Sequence, residues 1–153
     1  MFEKRLVAGW GDMDFNSHMR NTAFLDKAAD VRMMFFSENG FSIDEFIRRK
    51  IGPVIMKDEV EYFKEIRLLD ELRVTLVVAG LAGDGSRFLI RNEFWRAEEK
   101  AAKVTSAGGW LDLTTRKLVA PPEALLAALH SLISRDDFQI LSSSIKKGGE
   151  GSQ

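Results

Sequence analysis

Residues Gly9 to Ala28 read GWGDMDFNSHMRNTAFLDKA. Asp12 and Asp14 stand one residue apart, and His18, Arg20 and Asn21 follow. From about Asn21 apolar residues recur at helical spacing: Phe24, Ala28, Val31 and Phe35 share one stripe, with Leu25 and Met34 beside it. Lys27 and Asp30 lie largely off that stripe, and Asn39-Gly40 ends the pattern as a left-handed cap does. The spacing predicts a helix of about four turns, buried on a broad face. It opens directly after a loop crowded with titratable groups.

Toward the N-terminus, Phe2 to Trp10 has enough apolar residues for a first strand, and Gly9 and Gly11 mark a bend or a close backbone approach. Beyond the long helix, Ser42 with Glu45 resembles a capping box opening a short second helix, which Gly52-Pro53 is expected to stop. From Val54 the period changes to two. Turns are expected at Leu68 to Glu71, at GDGS (Gly83 to Ser86), at Glu98 to Lys100 and at TTRK, with strands between them. Gly108-Gly109 marks a bulge or tight contact, and Pro121-Pro122 precedes an amphipathic closing helix, EALLAALHSLIS. Strands clustered after helices indicate an α+β fold with an antiparallel sheet. Such a sheet has one face to bury, and the long helix is its natural cover.

The totals narrow the functional classes. A net charge of −1 gives no basic footprint, which disfavours a general nucleic-acid role. The absence of cysteine removes disulfides, thiol nucleophiles and thiolate metal sites, and fits a cytoplasmic location. Charges at Glu3, Lys4 and Arg5 fall where a signal peptide needs apolar residues. No apolar run is long enough for a transmembrane helix. The glycine-rich segment SSSIKKGGEGSQ reads as a mobile tail. One domain over residues 1–134 with a flexible extension over 135–153 is the expected organisation.

With these elements in order, the segment Gly11-Asp12-Met13-Asp14-Phe15-Asn16-Ser17-His18-Met19-Arg20-Asn21-Thr22-Ala23-Phe24-Leu25 resembles the pattern GDTDxxGHVNNxxYL. That pattern belongs to the 4-hydroxybenzoyl-CoA thioesterase-like branch of the hotdog-fold acyl-CoA thioesterases. EYFKEIRLLDELRVTLVV (Glu61 to Val78) is similar to that family's Y-x-x-P-x-x-x-G-D-x-L strand pair. WLDLTTRKLVAPPEAL (Trp110 to Leu125) is similar to its closing D-x-x-T-x-R-x-x-x-P-x-E segment. The likeness covers about residues 2 to 134. Departures are Ser17 and Leu69 where the family has glycine, Arg20 in place of the first asparagine, and Phe24 in place of the helix tyrosine.

The resemblance implies an α+β hotdog fold, with a curled antiparallel sheet around a long central helix. It implies hydrolysis of an acyl-CoA or acyl-carrier-protein thioester by a homodimer or homotetramer, with no cofactor, metal, nucleic acid or membrane partner. Coenzyme A is then part of the substrate. Asp14 takes the place of the catalytic carboxylate, as general base or nucleophile. The backbone N–H near Asn21 becomes an oxyanion donor, since first-turn amides lack helical partners and carry the positive end of the macrodipole. His18 and the Asn21 side chain assist, Asp12 braces the loop, and Phe24, Glu61, Tyr62 and Glu65 border the substrate. The site then lies at a dimer interface bordered by the partner's strand near Glu59 to Lys64, with Glu61 and Glu65 as candidates for a second polar group.

On spacing alone, Asp14 reads equally as a loop or capping aspartate, and His18 as a plain loop histidine. Asp12, Asp14 and His18 as a metal site lack a fourth ligand. His130 among leucines and alanines reads as structural. Arg48, Arg49, Lys50, Arg87, Arg91 and Arg116 are candidates to meet coenzyme A phosphates. A hotdog hydratase or dehydratase is a second enzymatic reading, although its Asp–His spacing with prolines is missing. A non-catalytic acyl-thioester-binding protein is the third.

Overall fold

The computed structural model describes residues 1–145. Its sheet runs in the order β1-β3-β4-β5-β2, from β1 (Phe2–Val7), β2 (Ile51–Tyr62), β3 (Glu71–Ala82), β4 (Arg87–Arg96) and β5 (Glu99–Asp112). All four pairings along this path are antiparallel. Two short strands extend it: β6 (Leu118–Val119) joins β5, and β7 (Gln139–Leu141) lies parallel to β3. The helices are α1 (Asn21–Glu38), α2 (Ile43–Arg49) and α3 (Glu123–His130). This is the hotdog arrangement, with α1 as the filling.

Helix α1 holds its place through Ala23, Phe24, Ala28, Val31, Phe35 and Phe36, all buried. The small residues let it lie close to the sheet, and the aromatics lock into it edge to face. Phe24 meets Phe94 with ring centroids 5.2 Å apart, Phe35 meets Phe2 at 5.3 Å, and Phe36 meets Trp110 at 5.7 Å. Phe46 of α2 stacks on the other side of Trp110 at 6.2 Å.

Several boundaries differ from the sequence reading. The first strand stops at Val7; Trp10 to Asp12 form a single 3-10 turn, so Gly9 and Gly11 serve a bend, and the Trp10 ring is exposed. Helix α2 ends at Lys50, which takes the left-handed conformation at φ 53°, and Gly52-Pro53 belong to β2. Pro53 is tolerated there because β2 is an edge strand. Only half of the capping box forms: Ser42 Oγ accepts the Glu45 N–H at 3.3 Å, while the Glu45 carboxylate turns to Arg48 and Arg49. The β4–β5 turn falls on Ala97 and Glu98, and Pro122 caps α3 from outside. His130 ends α3 in an exposed position.

Gly108 makes the tight contact its position suggested: a Cβ there would sit 2.1 Å from the Val54 carbonyl oxygen. The neighbouring pairing carries a bulge in β2 between Ile55 and Lys57.

The segment after residue 134, expected to be flexible, is in part structured. Ser134 N–H donates to the Val78 carbonyl, Arg91 makes a bidentate pair with Asp137, and β7 continues the sheet edge. The greater part of the expected mobile tail, residues 146–153, lies outside the described residues. Among those described, no helix is long and apolar enough to cross a membrane.

Candidate active site

The loop Asp12 to Arg20 is built by its own side chains. Asp12 Oδ2 accepts the Gly9 N–H at 2.8 Å and pairs with Lys27 Nζ at 2.9 Å. Its carbonyl takes the Arg20 N–H at 2.9 Å. Partial burial pushes its carboxyl up, but the Gly9 amide, Lys27 and Arg20 outweigh this and hold it below the usual carboxylate range. Asp12 is therefore a brace, as the resemblance implied.

Asp14 folds its loop differently. Oδ1 accepts the N–H of Asn16 at 2.8 Å and of His18 at 3.1 Å, while its own N–H donates to the His18 carbonyl at 2.7 Å. These bonds fix the carboxylate's direction and occupy one oxygen. Among the described residues Oδ2 has no partner, and the side chain is exposed to the cleft. Asp14 does not cap α1.

The residue at the N-cap of α1 is Arg20, whose side chain accepts nothing. It donates instead to Thr22 Oγ1 at 2.8 Å and to the Gly11 carbonyl. The Ala23 N–H bonds the Arg20 carbonyl, so the N–H groups of Asn21 and Thr22 keep no acceptor among the described residues. A helix with Ser, Thr, Asp or Asn at this position would spend a side-chain oxygen on its first turn. This one leaves it open.

A cleft of about 330 Å³ joins these parts. Asp14, His18, Asn21, Phe24, Tyr62 and Glu65 all line it, with Met19, Phe63, Lys64 and Ile66 completing the walls. His18 Nε2 meets Glu65 Oε2 at 3.0 Å across it. Phe24 and Tyr62 meet edge to face at 5.2 Å, and burial pushes the Tyr62 phenol above its usual value, so it stays a neutral hydroxyl near pH 7. Glu61 is not brought to this cleft; it points to the outer side of the sheet and pairs with Lys103 at 3.4 Å. Alternation along β2 explains it, since Tyr62 and Glu61 must face opposite ways.

None of the basic residues singled out for phosphates lines this cleft. Arg48 and Arg49 hold Glu45, and Arg91 holds Asp137. Arg87 lines a hollow on the other face of the sheet, and Arg116 sits in the turn after β5. Lys64 is the cation that lines the cleft. No cluster of three or more His, Asp or Glu side chains is placed to hold a metal among the described residues.

One group escaped sequence reading. Arg32 is buried on the inner side of α1, with Nε donating to Asn92 Oδ1 at 3.0 Å and Nη2 to Ser106 Oγ at 2.6 Å. Ser106 Oγ in turn donates to Asp58 Oδ1, and Asn92 Nδ2 to the Thr75 carbonyl. Its signal was position: Arg32 follows Ala28 by four, on the stripe that also carries Phe35.

No curated protein sequence matches significantly. Solved structures do. A 1,4-dihydroxy-2-naphthoyl-CoA thioesterase from Synechocystis superposes with TM-score 0.76 at 19% identity, covering 86% of this chain and 96% of that one. A probable thioesterase from Escherichia coli gives 0.72 at 18%, covering 88% and 100%. A hypothetical protein of Staphylococcus aureus in complex with CoA gives 0.78 at 18%, covering 99% and 92%. At these identities the likeness establishes the fold. Residues 8–129 match the family model of the thioesterase-like superfamily. The chain therefore belongs to the thioesterase-like superfamily, and its chemistry is that of a thioester hydrolase.

Proposed function

We propose that the protein hydrolyses an acyl-CoA thioester, with Asp14 as the carboxylate that activates water or attacks the carbonyl. The observation that carries this reading is the convergence of two groups on one cleft: the Asp14 carboxylate with its free Oδ2, and the uncapped first turn of α1. A thioester needs an attacking group, donors for the developing oxyanion and an outlet for the thiolate. The thiolate of coenzyme A leaves readily, so a strong general acid is dispensable. A carbonyl oxygen docked at the Asn21 N–H gains about 3 kcal/mol as it becomes negative. His18, held by Glu65, borders the same space and can orient the water. Coenzyme A as the carrier is supported by the neighbour from Staphylococcus aureus solved with CoA and by the CoA thioesterase from Synechocystis.

The working unit in this reading is a homodimer or a dimer of dimers. Among the described residues β2 has a neighbour on one side only, and the cleft beside its end, between Tyr62 and Glu65, stands open. A second protomer seated there would close the site against water.

The test is hydrolysis of a panel of acyl-CoAs and acyl-carrier-protein thioesters by wild type, Asp14→Asn and Asp14→Ala. The expected result is a fall in kcat of about a hundredfold or more in both variants. Asn keeps an acceptor for the Asn16 and His18 amides, so Asp14→Asn should melt near the wild-type temperature. Full activity in Asp14→Asn would remove Asp14 from the mechanism.

A further inference from the structure

Among the described residues, the buried side chains of α1 are Ala23, Phe24, Ala28, Val31, Phe35 and Phe36, and one that is polar, Arg32. Its guanidinium is planar, and the donors form a rigid fork. Nε donates to Asn92 Oδ1 on β4 at 3.0 Å, and Nη2 to Ser106 Oγ on β5 at 2.6 Å. Both acceptors are fully buried and are themselves pinned. Asn92 Nδ2 donates to the Thr75 carbonyl of β3 at 3.0 Å, and Ser106 Oγ donates to Asp58 of β2. One side chain thus ties α1 to four strands. Burial pushes the guanidinium down to about 10, partly offset by Asp58, which leaves it charged near pH 7.

Stability alone does not call for such a network, since apolar side chains of the same volume often serve as well or better. What apolar packing lacks is direction, and repacked cores lose uniqueness before they lose stability. Near the active site α1 is held by Phe24, whose ring meets Phe94 and Tyr62 edge to face at 5.2 Å. Contacts of that kind tolerate centroid separations from about 4.5 to 7 Å. The Arg32 fork is stricter, because each of its bonds is lost once the atoms part beyond about 3.5 Å. It admits one roll and one axial position of the helix. Arg32 follows Asn21 by eleven residues. That is three turns, about 16 Å, and the two residues leave the axis in directions only about 20° apart. A rigid helix therefore carries any roll or slide allowed at Arg32 to the Asn21 N–H.

We propose that Arg32 is a positioning residue for thioester hydrolysis: its ties to Asn92 and Ser106 set the roll and slide of α1, and so place the Asn21 N–H against the carbonyl under attack. The proposal rests on the thioesterase reading of the Asp14 cleft. An oxyanion donor works over about 2.7–3.1 Å, and a misplacement of about 1 Å costs on the order of a hundredfold in rate. The tolerance of the ring contacts exceeds that window, and the tolerance of the fork matches it.

The test replaces the whole network by apolar side chains in Arg32→Met/Asn92→Leu/Ser106→Ala, which leaves none of the three polar groups buried without a partner. A second variant, Ser106→Ala, removes only the β5 arm and is small enough to fold. Kinetics are measured with one acyl-CoA, well below the melting temperature of each protein. The triple variant should lose at least about tenfold in kcat and Ser106→Ala at least about threefold, both with KM within about twofold of wild type, as the loss of a contact made in the transition state requires. Crystal structures of wild type and the triple variant, superposed on the sheet, should place the Asn21 nitrogen at least about 0.5 Å apart. Wild-type kcat in either variant, a loss confined to KM, or an α1 that has not moved in the triple variant overturns the proposal. If the triple variant does not fold, the kinetics of Ser106→Ala decide. Absence of turnover in wild type counts against the thioesterase reading alone, and the superposition then decides whether Arg32 positions α1.

Discussion

His18 Nε2 and Glu65 Oε2 stand 3.0 Å apart, one on the loop before α1 and the other just beyond β2. The contact joins the two walls of the cleft and fixes the imidazole beside Asp14. Both side chains are partly solvated, so the pair is worth little to stability. Glu65→Gln should leave the melting temperature unchanged and lower kcat/KM by no more than about fivefold. Steady-state kinetics with one acyl-CoA and a thermal melt check both halves.

Ser17 and Leu69 stand where the thioesterase pattern that these segments resemble has glycine, and both adopt left-handed backbone, at φ 67° and 69°. A side chain in this region costs about 1 kcal/mol or more. The Leu69 side chain is largely exposed and recovers little of that by packing. Leu69→Gly should raise stability by up to about 1 kcal/mol, and Leu69→Val should lower it by a similar amount. Urea unfolding of the three proteins decides it. Ser17→Gly should behave likewise, with the added readout that activity persists.

Gly108 cannot accept a side chain. A Cβ would meet the Val54 carbonyl at 2.1 Å and the Phe88 ring at 3.0 Å, and the first is backbone. Gly108→Ala should cost about 3 kcal/mol, as overpacking of a tight contact does. In a chain of this size that lowers Tm by about 6–12 °C, measurable by calorimetry.

Asp12 supplies the acid-sensitive part of the active-site loop. Its carboxyl titrates below the usual range because the Gly9 amide, Lys27 and Arg20 outweigh the upward push of burial. A depressed carboxyl stabilises the fold above its unfolded pKa, near pH 4, and that contribution is lost as pH falls through the folded value. Asp12→Asn also leaves the half-buried Lys27 ammonium without its partner. The variant should melt below wild type at pH 7, and the gap should narrow steadily from about pH 4 downward. Melting curves at pH 7, 4 and 3 test the sign.

Hotdog architecture was legible because its signals are periodic and local. The stripe from Phe24 to Phe35 specified a helix with a wide buried face, and the change to period two after Val54 specified the sheet. Asp14, His18 and Asn21 were legible as a group because they sit within eight residues of one another. Tyr62 and Glu65 were reached through the family pattern, and they share the cleft. Glu61 stands one step of strand alternation from Tyr62 and so faces away from the cleft of its own protomer. The stop of α2 was misread because Lys50 adopts a conformation that composition assigns to Gly52. The Arg32 network was invisible for a different reason. Its members Arg32, Asp58, Asn92 and Ser106 are ordinary surface residue types, and only the pairing of α1 with three strands brings them together.

The border of β3 is closed by two segments from opposite ends of the sequence. β1 pairs with Glu71–Leu76, the Val78–Ile133 bridge follows, and β7 pairs with Gly80–Ala82. During synthesis the first closure is available as soon as β3 emerges, while the second waits for nearly sixty further residues to leave the ribosome. A nascent chain thus carries a short run of bare amides and carbonyls beside a nearly finished sheet. Such a run is open to a neighbouring chain, which makes the final stretch a guard against misassembly on the polysome.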